Sequence, residues 1–202
     1  MGGGVIDPST LKFGDRIDNK STVVGTFDSD EYLGKVIFAV LDAQYRVPDI
    51  AWAADLYGVD TGLSNYTTGN EALNAKESGT YNTDYIKVNY FTDDKSFAAF
   101  EHCWNVKPLN YNGETYECVL PNAYELQQIY DNRTELDALD PTAEANSTKK
   151  LSNWGVGSSN ANVWSSNEFS SEKAWKLYSN GWYSEDKNGV AGVIPIIEIP
   201  LG

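Results

Sequence analysis

The run Lys35-Val36-Ile37-Phe38-Ala39-Val40-Leu41 is almost continuously apolar and ends too soon for a core helix. An apolar stretch of this length reads as a buried strand. Upstream, Thr22-Val23-Val24-Gly25-Thr26-Phe27 is rich in β-branched side chains and follows Asp18-Asn19, a turn pair, so a second strand is expected there. Near the other end, Val193-Ile194-Pro195-Ile196-Ile197-Glu198-Ile199 has the same character and reads as one further strand. Strand-forming text at both ends constrains the fold more than any helical pattern between them.

Two helices are legible in the middle. Phe97, Phe100 and Trp104 are spaced as one face of a short amphipathic helix over residues 96–104. After Leu120-Pro121, Asn122 stands three residues before Glu125, the arrangement of a capping box, with Leu126, Ile129 and Tyr130 as the buried stripe. Residues 46–90 are irregular, rich in Gly, Asn, Asp and Thr with scattered aromatics, and read as a packed functional loop or a set of short elements. The polar stretch after Pro141, through Lys150, reads as an exposed loop.

Strand text resumes at Asn162-Val163-Trp164-Ser165-Ser166 and at Ala174-Trp175-Lys176-Leu177-Tyr178. Alternation along the second segment sends Trp175 and Leu177 to the core and leaves Lys176 and Tyr178 on the other face. Ser179-Asn180-Gly181 then supplies a tight turn into Trp182-Tyr183. Met1-Gly2-Gly3-Gly4 reads as a flexible linker, so residues 1–12 are an N-terminal extension and residues 13–202 a single α+β domain.

A net charge of -14 opposes nucleic-acid binding, which needs clustered Lys and Arg. No apolar stretch of about 18 residues is present, so membrane insertion is not expected. The two cysteines, Cys103 and Cys118, are too few for a disulfide framework and are read either as a pair or as two buried thiols. With one histidine, His102, they make no four-ligand zinc set, and no metal or other cofactor is expected.

Taken in order, Leu120-Pro121-Asn122 with Glu125-Leu126, Val163-Trp164-Ser165-Ser166-Asn167-Glu168, Ala174-Trp175, Asn180-Gly181 and the terminal apolar strand form a recognisable series. It resembles bacterial and phage C-type-lectin-fold domains of the formylglycine-generating-enzyme-like type, including the variable proteins of diversity-generating retroelements. Gly34 through Val40 is similar to that family's opening strand, and the likeness covers about residues 34–199 as a string of short motifs. The resemblance implies a C-type-lectin-like fold, a twisted antiparallel sheet with two flanking helices and long loops. The loops near the C-terminal strands, residues 154–190, would face the ligand. The implied partner is a host-surface protein or glycan and the implied setting a phage tail or fibre or a bacterial surface, with a homotrimer among the assemblies such a setting allows.

The candidate ligand-binding residues are Asn167, Phe169, Ser170, Ser171, Lys173, Lys176, Tyr178, Trp182, Tyr183, Ser184, Asp186 and Asn188. Tyr and Trp offer large contact area at low entropic cost, and Ser and Asn adapt their hydrogen bonds, as in antibody loops. The competing reading is that Phe169, Trp182 and Tyr183 complete the core beneath a polar loop. Adenine-directed mutagenesis, as the resemblance implies, starts from codons ending in a pyrimidine, which never specify Lys, Glu or Trp. Glu168, Glu172, Lys173, Lys176, Trp182, Glu185 and Lys187 would then be invariant scaffold, unless the chain is an undiversified relative.

No catalytic residue is assigned. The carboxylate and amide motifs with which lectins of this fold bind calcium and sugar are not spelled here, and Asp28-Ser29-Asp30-Glu31 reads as a solvated turn. The C-terminal region lacks the cysteines through which formylglycine-generating relatives oxidise their substrates. Glu114 and Glu117, beside Asn112-Gly113, read as hairpin surface rather than a glycosidase pair. The alternatives are a structural virion decoration or fibre subunit and, behind it, a carbohydrate-active enzyme built on residues 46–90.

Overall fold

A computed structural model describes residues 7–29, 34–53, 58–90, 96–154, 162–178 and 181–201. Asp30-Glu31, Ser179-Asn180 and the glycine-rich start of the chain lie outside them. In chain order the elements are β1 (Arg16–Ile17), β2 (Ser21–Ser29), β3 (Gly34–Leu41), β4 (Val47–Ala51), α1 (Gly69–Leu73), α2 (Gly79–Tyr90), α3 (Ala98–Asn105), β5 (Leu109–Tyr111) and β6 (Glu114–Tyr116). Then follow α4 (Ala123–Asp131), α5 (Arg133–Leu139), β7 (Val163–Glu168), β8 (Lys173–Tyr178), β9 (Gly181–Asp186), β10 (Val190–Val193) and β11 (Ile196–Pro200). The fold is α+β with mostly antiparallel sheets: one ordered β1-β2-β3-β11, one ordered β4-β10-β7-β8-β9, and the hairpin β5-β6. The β10–β7 pair is parallel.

The apolar run on β3 has a direct cause. Val36, Phe38 and Val40 point into a core shared with Leu126 and Ile129 of α4, while Ile37, Ala39 and Leu41 point into a second core with Leu109, Cys118 and Ile197. Successive side chains alternate between faces, so a strand buried on both cannot alternate in polarity. Asp18 and Asn19 have φ of 49° and 53°, and Asn112 and Gly113 have 53° and 85°. These left-handed pairs join β1 to β2 and β5 to β6, in the geometry that matches the twist of a hairpin.

The terminal apolar stretch, read as one strand, is two. Residues through Val193 pair with β4 and β7, and residues from Ile196 pair with β3. Pro195 has no N–H to donate to a ladder, and the chain changes sheets there. Its carbonyl accepts from Leu41 N at 3.0 Å.

The α4 capping box forms as expected. Asn122 Oδ1 accepts from Glu125 N at 2.8 Å, and Glu125 Oε2 accepts from Asn122 N at 2.9 Å. Leu126 and Ile129 are buried and Tyr130 packs at the edge of their core. The helix expected over 96–104 starts at Ala98, with Phe97 and Phe100 set edge-on against Trp52.

Residues 46–90 are more regular than their composition suggests. They contain β4, α1 and the whole of α2, whose Asn- and Thr-rich sequence is held by tertiary contacts rather than by propensity. Asn82 Nδ2 donates to Ser166 Oγ at 2.9 Å, Leu120 N donates to Thr83 Oγ1 at 3.2 Å, and Ile86 is buried. The stretch after Pro141 is largely on the surface but anchored. Arg46, 1% exposed, donates to the Leu41 carbonyl at 3.0 Å, to Asp140 at 3.1 Å and to the Lys149 carbonyl at 3.2 Å. Among the described residues no helix is long and apolar enough to cross a membrane.

Candidate ligand-facing surface

The stretch Val163-Trp164-Ser165-Ser166-Asn167-Glu168 is buried along its whole length as β7. Its polar side chains tie it to other elements. Ser165 Oγ donates to the Trp175 carbonyl at 3.0 Å, and the Ser165 carbonyl accepts from Trp52 Nε1 at 2.9 Å. Ser166 holds α2 through Asn82, and Asn167 Oδ1 accepts from Ala123 N at 2.6 Å in the first turn of α4. Trp164 Nε1 donates to the Ile50 carbonyl at 2.7 Å on β4. Asn167 is therefore not a surface residue. Its amide oxygen finds a partner at a helix N-terminus, while Nδ2 is buried without an acceptor.

Glu168 ends β7 in a buried ion pair with Lys187, whose Nζ also donates to the carbonyls of Val59 (3.1 Å) and Ser171 (3.0 Å) and lies 5.0 Å from the Trp52 ring centre. Thr61 donates its hydroxyl to Glu168. Burial pushes the Glu168 carboxyl up and the Lys187 ammonium down, each against the stabilising effect of its partner. One lysine thus gathers the β7–β8 turn, the β9–β10 turn and the segment before α1.

Register divides the expected surface in two. Lys173, Trp175 and Leu177 lie opposite Asp186, Ser184 and Trp182, while Ala174, Lys176 and Tyr178 lie opposite Glu185, Tyr183 and Gly181. Residues two apart share a face, so these are opposite sides of one hairpin. On the first side Trp175 and Leu177 pack towards α1 and α4, as their alternation predicts. Phe169 meets Trp175 edge-on at 5.4 Å, and Trp182 donates its indole N–H to Gln127 Oε1 at 3.0 Å. Trp182 also lies so close to Gly69 that a Cβ there would be 2.8 Å from its own. Phe169 and Trp182 are thus half-buried against the core, as the competing reading had it.

The other side differs. Tyr183 is 45% exposed and meets Tyr178 edge-to-face, with ring centres 6.0 Å apart and planes at 84°. Lys176, expected outward, is 8% exposed. Its ammonium lies 5.9 Å from the Trp164 ring centre and reaches Glu185 at 2.7 Å, as a long cationic side chain does beside apolar surface. The hydrogen bond from Lys176 holds the Glu185 carboxyl below its ordinary range. Ser170 and Ser171 are partly exposed in the β7–β8 turn, and Asn188 is exposed in the β9–β10 turn.

A cavity of about 230 Å³ and another of about 290 Å³ lie elsewhere, and neither is lined by a candidate residue. Among the described residues no three His, Cys, Asp or Glu side chains are grouped to hold a metal ion. His102 Nε2 is 2.8 Å from the Tyr45 carbonyl. Cys103 and Cys118 are free and buried, and burial pushes the Cys118 thiol up to about 12. Glu114 and Glu117 are exposed beside the hairpin, with Glu114 accepting from the Tyr116 hydroxyl and Glu117 paired with Lys87.

No family model, curated protein or solved structure matches the chain. The functional reading therefore rests on geometry and on the short motifs. The supporting residues hardest to foresee were Thr61, Gly69 and Gln127, which reach the surface strands from distant segments and carry no local pattern.

Proposed function

We propose that the chain is a C-type-lectin-like domain that binds a receptor or ligand through the outer face of β8 and β9. Tyr178 and Tyr183 form the centre of the contact, and the turn residues Ser170, Ser171 and Asn188 its rim. The carrying observation is the edge-to-face pair of Tyr183, 45% exposed, and Tyr178, partly exposed, on a hairpin whose opposite face is locked to α1 and α4. A pre-ordered aromatic pair loses little side-chain entropy on binding, which favours affinity. The pairing of β3 with the last strand and the helices α2 and α4 against the sheets are compatible with that fold.

The codon argument agrees in part, since Phe169 and Asp186 lie on the Trp175 side of the hairpin and not with the tyrosine pair. Phe169, Ser170, Ser171, Tyr178, Tyr183, Asp186 and Asn188, which adenine-directed mutagenesis leaves open, all keep solvent exposure. Of the barred residues, Glu168, Lys176 and Lys187 are buried, Lys173, Trp182 and Glu185 are partly exposed and Glu172 is exposed. The partner class is a host-surface protein or glycan, and the setting a phage tail or fibre or a bacterial surface. Binding of labelled protein to intact bacterial cells and to a glycan array tests the reading. Tyr178→Ala combined with Tyr183→Ala should abolish binding while Lys173→Ala, on the opposite face, preserves it. Equal binding by the parent and the tyrosine double variant would sink the proposal.

One observation favours a second reading, a structural subunit of a virion or fibre. β9 is an edge strand of its sheet, and an edge strand is a template for pairing with another chain. A stable oligomer by mass measurement, dissociated by the same tyrosine substitutions, would favour it.

A further inference from the structure

Away from that surface, two carboxyl side chains from distant segments meet at the start of α2. Glu125, in the first turn of α4, is 0% exposed, and Glu198, in the middle of β11, is 4% exposed. Each has one oxygen accounted for: Glu125 Oε2 accepts from Asn122 N at 2.9 Å and Glu198 Oε1 accepts from Thr80 N at 3.1 Å. The other two, Glu125 Oε1 and Glu198 Oε2, are buried without a hydrogen-bond donor. Gly79 locates the meeting point. A Cβ built there would lie 3.0 Å from Glu198 Oε1, 3.1 Å from Glu125 Oε2 and 2.7 Å from the Leu120 carbonyl, so only glycine leaves room for both carboxyl groups.

Two buried carboxylates cannot both ionise at close range without a cation. Among the described residues the neighbouring titratable groups supply none. Asp84 of α2 and Tyr116 and Glu117 beside β6 line the 230 Å³ cavity onto which Glu198 opens, Lys87 is engaged by Glu117, and the Glu77 carboxylate is taken up by the Ser64 and Tyr66 hydroxyls. We propose that Glu125 and Glu198 share one proton, so that an acid–carboxylate hydrogen bond between Glu125 Oε1 and Glu198 Oε2 fastens β11 to the starts of α2 and α4. The proton removes both orphan oxygens at once. The single remaining charge faces backbone N–H groups at the start of α2, where a helix favours an anion.

Burial, and then the nearby Glu198 charge, hold the Glu125 proton well above the ordinary carboxyl range. An acid raised in the folded state contributes stability that is complete below its unfolded pKa and is lost as pH rises through the folded one. Unfolding in urea across pH, with Glu125→Gln, Glu198→Gln and the double variant, separates a shared proton from two ionised groups. Either single amide can keep its backbone bond and donate Nε2–H to the remaining carboxylate. Each single variant should therefore fold and lose the fall in midpoint that the parent shows as pH rises above the ordinary carboxyl range. The double variant sets two NH2 groups face to face and should unfold at lower urea than either single. Infrared spectroscopy of the parent at neutral pH should show a protonated carboxyl band that either single substitution removes. A double variant at least as stable as both singles, or no such band in the parent, overturns the proposal.

Discussion

The indole N–H of Trp175 donates to the carbonyl of Tyr66 at 2.8 Å, joining the β8 strand to a segment 109 positions earlier. Trp175 is buried with Ala72 of α1 and Ala123 of α4, and Phe169 rests on its edge. Its role is therefore to hold the hairpin rigid from behind, with Tyr178 and Tyr183 on the outer side. Trp175→Ala should cost about 3–5 kcal/mol, the usual effect of truncating a buried aromatic. Tyr183→Ala, at an exposed site, should change stability by about 0.5 kcal/mol or less. Urea unfolding of the two variants measures the contrast, and a similar loss in both would mean that Tyr183 belongs to the core.

The Glu168–Lys187 pair gives a second expectation. Lys187→Met leaves Glu168 buried without its cation and should destabilise by about 3–5 kcal/mol. Adding Glu168→Gln removes the stranded charge, so the double variant should be more stable than Lys187→Met alone. Additive losses in equilibrium unfolding would show that the two side chains act independently.

His102 provides a pH readout, because it is the chain's one histidine and its imidazole signal is unambiguous. Burial lowers its pKa, with the Tyr45 carbonyl opposing and Lys149 adding to the depression. A histidine lowered in the folded state contributes stability that is present above its unfolded value, about 6.5, and is lost as pH falls towards the folded one. NMR titration should place the native midpoint below that of the unfolded chain. His102→Gln should weaken the acid-side loss of stability, and a native midpoint at or above the unfolded value would reverse the sign.

Several parts of this protein were legible in its sequence. Asp18-Asn19 and Asn112-Gly113 announce their hairpins because few residue pairs tolerate two left-handed conformations in succession. Asn122 and Glu125 announce the start of α4 because the capping bonds are made within four residues. α2 was not legible, since its Asn, Thr and Tyr side chains carry no strong helical period and its bonds to Ser166 and Leu120 come from far along the chain. Asn167 and Lys176 look like contact residues in the sequence because they are polar and near Tyr and Trp, whereas their burial depends on Ala123 and Glu185 meeting them in space.

The sequence by itself determined β2, β3, β7 and β8, the two turn pairs, the α4 cap and the alternation of Trp175 and Leu177, all of which follow from interactions within a few residues. The tertiary structure alone decided that the C-terminal hairpin has one side locked to the helices and one side bearing the tyrosine pair. It also decided that Glu168 meets Lys187 and that Glu125 meets Glu198. Those outcomes depend on which distant segments exclude water from a given side chain, and no local pattern of residues encodes that.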